Sequence, residues 1–133
     1  MTPTIEDLTP LSETLNAESN DLNETIATIS RKLAALNLGI EVWFATDWPD
    51  VEVGFAKVFD PQHPSKESWQ LATRNGSDNN SELIVHSSKL IGASRDIRIE
   101  GLRRVPAIVQ GLKSEAESRI RAMKEAKKLA AQL

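Results

Sequence analysis

The sequence predicts an α+β protein. Its expected parts are a long N-terminal helix, a four-stranded antiparallel sheet and a C-terminal kinked helix pair, with the helices packing on one sheet face and in an oligomer. Three observations carry this reading. Apolar residues recur every seven positions at both ends of the chain, the period drops to two between them, and Pro106 interrupts the last helical block.

The first helix is expected over about 10–36. Thr9 suits the N-cap and Pro10 the first helical position, where a missing N–H costs nothing. Leu8, Leu15, Leu22, Ile29 and Leu36 form one seven-residue column. A second column starts at Leu11, is interrupted at Glu18 and returns one position late at Ile26 and Leu33, so the seam drifts. Acidic residues crowd the first half and Arg31 and Lys32 the last turns, as the helix dipole favours. Asn37 and Gly39 supply the stop.

Strands are expected over about 40–88. Ile40, Val42 and Phe44 point one way, and Glu41 and Trp43 the other. Asp47, Trp48, Pro49 and Asp50 make a turn, and Val51, Val53 and Phe55 resume the alternation to about Val58. Two prolines in Asp60–Pro64 exclude a strand there. Trp69, Leu71 and Thr73 give the third strand, and a polar loop over Asn75–Asn80 leads to a fourth at Leu83, Val85 and Ser87. Helices are then expected over about 95–131, with Ser94 as N-cap and a break near Pro106. No linker or repeat divides the order, so residues 1–133 read as a single domain.

Lengths add an expectation. A helix of some 27 residues spans about 40 Å, whereas a strand of six spans about 20 Å. The sheet therefore covers about half of each long helix, and the overhang still carries an apolar seam. Charge is divided in the same way. Residues 1–87 hold fourteen Asp/Glu against five Lys/Arg, and residues 88–133 hold eleven Lys/Arg against five Asp/Glu. Pairing of the two long helices, within one chain or between chains, accounts for both features. A dimer or higher assembly is expected, with Leu22, Ile29, Val109 and Met123 buried in it.

Composition excludes several functional classes. Hydrophobic residues make up 40% and charged residues 26%, a globular balance that excludes a disordered or fibrous chain. There is no cysteine, hence no disulfide framework, thiolate zinc site or thiol catalysis. No apolar run reaches membrane-span length, and the first residues lack the basic and apolar regions of a secretory leader, so the expected compartment is the cytoplasm. G-x-S-x-G, G-x-x-x-x-G-K and G-x-G-x-x-G are all absent. No catalytic residue, metal ligand set or cofactor is assigned, and His63 and His86 stand apart without spaced partners.

Two features point to binding. Trp43 shares the outer sheet face with Gln70, Arg74, Ile84 and His86, an arrangement that would let a flat ligand stack on the indole. Lys89, Arg95 and Arg98 gather where the second helical block starts, and a helix N-terminus attracts anions. The first reading is accordingly a non-catalytic homo-oligomeric binding protein, for a small anionic or nucleotide-like ligand held by Trp43, Arg74, His86, Lys89, Arg95 and Arg98. The alternative is a protein–protein or inhibitor module using its helices or Trp face, and a third is an enzyme whose site carries no recognised motif. Duplex DNA is not expected, because the pI is 5.4 and no aromatics interleave the basic residues from Arg119 to Lys128.

Overall fold

A computed structural model of the chain describes residues 2–59, 68–75 and 87–133. The elements run α1 (Leu8–Ala35), β1 (Val42–Ala45), β2 (Val51–Val58), β3 (Ser68–Asn75), β4 (Ser88–Lys89), α2 (Arg95–Arg103) and α3 (Val105–Ala130). The strands form one antiparallel sheet in the order β1-β2-β3-β4. The α+β architecture is the expected one. The expected strand at Leu83 and Val85 lies outside the described residues, as do the Asp60–Pro64 loop, the loop beyond Asn75, and both histidines.

Local chemistry sets the boundaries. α1 begins two residues before Pro10 and is led in by a 3₁₀ turn, Ile5–Asp7, in which the Thr4 N–H donates to Asp7 Oδ2 at 2.8 Å. Pro10 is tolerated because the first four N–H groups of a helix have no partner within it. At the other end Asn37 and Gly39 adopt φ of 52° and 64°, the left-handed conformation that terminates helices. The β1–β2 turn is closed by Thr46, whose N–H and hydroxyl both donate to the Val51 carbonyl, and Asp50 takes φ of 66°. Ser94 caps α2 by accepting from the Ile97 N–H at 3.4 Å. The break falls at Arg104, and α3 restarts with Pro106 in its first turn.

The core lies between the sheet and the helices. Val42, Val53, Phe55 and Leu71 from the sheet meet Ile26 of α1, Leu90, and Ile108 and Leu112 of α3. Trp69 is partly buried against this core and stacks on Phe55 at 5.7 Å between ring centroids. α1 packs on β3 and α3 on β1, with α2 touching both helices. Gly111 lets α3 approach β1, since a Cβ there would stand 2.8 Å from the Phe44 ring. Ser30 fastens α1 to the sheet: its buried hydroxyl accepts from the Leu71 N–H at 3.0 Å.

The sheet covers only part of each long helix. Every residue over 8–18 of α1 and over 117–130 of α3 is exposed. Those projecting halves include Leu11 at 63% and Met123 at 58% relative exposure. The expected seam therefore divides. Leu22 and Ile29 pack against the chain's own core, while Val109 and Met123 remain exposed. α1 sits over β3 and α3 over β1, with β2 between them, and the two long helices make few contacts with one another within the chain.

Candidate functional site

The outer sheet face is organised by register. Trp43 lies opposite Gly54, Gly54 opposite Ala72 and Ala72 opposite Lys89, which makes one row across all four strands. Arg74 lies opposite Glu52 in the adjacent row. Gly54 is required by the approach of β1: a Cβ there would meet the Val42 carbonyl oxygen at 1.9 Å. Trp43 packs over the buried Ala56, Val58 and Ala72 on this face.

Trp43 and Arg74 are brought together, as the alternation implied. The guanidinium carbon of Arg74 stands 4.2 Å from the centroid of the indole. Two carboxylates complete the cluster. Glu52 Oε1 accepts from Arg74 Nε at 2.9 Å, and Glu41 lies 3.8 Å from Arg74 Nη1 while also accepting from the indole N–H. One face of the indole is thus covered by an arginine, and that arginine is shared between two acids. With one cation and two anions, the cluster by itself repels a phosphate and offers no bare ring.

Glu41 and Glu52 were not among the residues singled out from the sequence. Glu41 was legible, being two positions before Trp43 on the same face. Glu52 becomes visible only once the β2–β3 register is known. Lys89 joins this face at the end of the Trp43 row, and His86 lies outside the described residues.

Arg95 and Arg98 belong to the helical layer on the opposite side of the sheet. Arg98 reaches across to α1, where Nη1 donates to Asn23 Oδ1 and Nη2 to Ser19 Oγ at 3.2 Å. It ties α2 to the acidic first helix through neutral acceptors. The Nε groups of Arg95 and Arg98 are both buried without a hydrogen-bond partner. One turn further on, buried Glu100 receives Arg104 Nε at 3.1 Å, and Arg104 also lies 3.6 Å from Asp47, which fixes α2 to the β1–β2 turn. The five described residues of the six expected to hold a ligand are therefore split, with Trp43, Arg74 and Lys89 on one side of the sheet and Arg95 and Arg98 on the other.

Further chemistry is sparse. Among the described residues no three His, Cys, Asp or Glu side chains lie close enough to hold a metal ion. No helix among them is long and apolar enough to cross a membrane. Compared with protein-family models, with curated proteins and with solved structures, the chain matches none.

Proposed function

We propose that this protein is a non-catalytic binding module that works as a homo-oligomer through its helices. The observation that supports this is the exposure of the projecting halves of α1 and α3. Leu8, Leu11 and Leu15 follow helical i, i+3, i+7 spacing, and Ile120, Met123 and Ala130 follow i, i+3, i+10 spacing, so each half carries an apolar stripe. A lone exposed leucine needs no explanation, but an ordered stripe on a helix without neighbours does. Light scattering over a concentration series tests the reading. A mass above the 14.7 kDa of one chain is expected at micromolar protein. Leu15→Glu, far from the core, is expected to lower that mass without unfolding the chain. A monomer at every concentration removes the proposal.

A second reading, binding of a small anion, is favoured by the partnerless Nε groups of Arg95 and Arg98. Burying such a donor without an acceptor is costly, and a phosphate or carboxylate at the start of α2 would satisfy both. Trp43 and Arg74 are not needed for this version. Calorimetry with mononucleotides, dinucleotides and cyclic nucleotides tests it. Arg95→Ala should abolish any heat that Lys127→Ala leaves intact, and no heat from the wild type removes it.

A further inference from the structure

Resting on the homo-oligomer reading above, we propose that two copies of this chain pair reciprocally. The acidic projecting half of α1 in each copy lies along the basic projecting half of α3 in the other. Charge complementarity identifies the occupant. Over residues 1–30 the chain carries six acids, Glu6, Asp7, Glu13, Glu18, Asp21 and Glu24, and no base. From residue 113 to the end it carries six bases against three acids.

The ion pairs within α3 engage only part of that charge. Lys113 pairs with Glu117 at 3.8 Å and Arg119 with Glu115 at 4.0 Å. Among the described residues, Arg121, Lys124, Lys127 and Lys128 form no ion pair, and neither do Glu13, Glu18, Asp21 or Glu24. Both surfaces flank apolar stripes, and both are free at the same time because α1 and α3 leave the sheet over different strands. A second copy supplies each stripe with the surface of opposite sign. The two contacts are then related by a two-fold axis, which is the commonest way for identical chains to close. Pairing α1 with α1, or α3 with α3, would set like charges side by side.

Charge reversal tests the pairing. One variant combines Glu13→Lys with Glu18→Lys, and a second combines Arg121→Glu, Lys124→Glu and Lys128→Glu. All five positions are exposed and remote from the core, and circular dichroism verifies the fold of each variant. Each variant alone should self-associate at least about tenfold more weakly at about 150 mM salt, since several exposed pairs turn repulsive together. An equimolar mixture of the two should recover a dimer, because every contact between unlike variants is attractive. A chain carrying all five changes should self-associate like the wild type yet fail to mix with it.

The outcomes separate the two claims. If the wild type is monomeric at every concentration, the reciprocal pairing and the homo-oligomer reading both fall. If it dimerises but either reversed variant dimerises equally well, or the fivefold variant mixes freely with wild type, reciprocal pairing falls and the homo-oligomer reading stands.

Discussion

Ser30 gives the most direct test of how the first helix is held. Its hydroxyl accepts from the Leu71 N–H at 3.0 Å, and both residues are buried. Among the described residues β4 pairs with Ala72 and Thr73, and at Leu71 a helix side chain takes the place of a neighbouring strand. Ser30→Ala is an ambiguous probe, because a cleft lined by Ile26, Ala27, Trp69 and Ile91 adjoins the site and can admit a water in place of the hydroxyl. The informative comparison is Ser30→Thr with Ser30→Val. The two side chains have nearly the same shape, and only the first keeps the acceptor. An amide left buried without a partner costs about 1–3 kcal/mol, so the valine variant should be less stable than the threonine variant by that amount. For a chain of this length each kcal/mol corresponds to roughly 3–5 °C in Tm. Urea denaturation at fixed protein concentration, followed by circular dichroism, reads the difference. Equal midpoints for the two variants would refute the reasoning and show that the Leu71 amide finds another acceptor.

Other substitutions probe the remaining joints. Gly54→Ala should displace β1, because its Cβ would fall 1.9 Å from the Val42 carbonyl oxygen; amide exchange in β1 should accelerate while that of α3 beyond the sheet is unchanged. Ile108→Ala removes a fully buried side chain and should cost about 2–5 kcal/mol in urea denaturation, whereas exposed Ile120→Ala should cost under about 0.5 kcal/mol in the monomer. Arg104→Ala removes the hydrogen-bonded partner of the buried Glu100 carboxylate, leaves it only the longer 3.9 Å contact with Arg103, and should cost about 1–3 kcal/mol, while Arg103→Ala, at a side chain that is 72% exposed, should change the midpoint little.

Much of the fold was legible because backbone constants set it. The left-handed residues at Asn37 and Gly39, the cap at Ser94 and the break near Pro106 follow from local chemistry that tertiary contacts rarely override. The overhang follows from the rise per residue of helix and strand, which no side chain can alter. The start of α1 was misplaced because Pro10, read as the first helical residue, is in fact the third, a position that is tolerated since none of the first four N–H groups has a partner within the helix. The helical seam showed that Leu22 and Met123 share a periodic stripe. It did not show that the sheet takes one and leaves the other exposed, since that depends on where each helix meets its strand.

The outer face shows why the site was harder to read than the fold. Alternation places Trp43 and Arg74 on one side of the sheet, and the structure puts them 4.2 Å apart. Their meaning turns on Glu52, more than twenty residues before Arg74 in the chain and directly opposite it in the β2–β3 pair. A single carboxylate at that position converts an open cation beside an indole into a closed cluster. Shared faces follow from a period of two, but neutralised charges follow from register, and register is fixed by the turn and by the whole buried row. The same logic acts in reverse on the projecting helices. They have no register partner within the chain, so much of their charge stays unmatched beyond the two ion pairs inside α3, and the division between an acidic and a basic half persists at their surfaces. Charge unmatched in one copy is what a second copy can read.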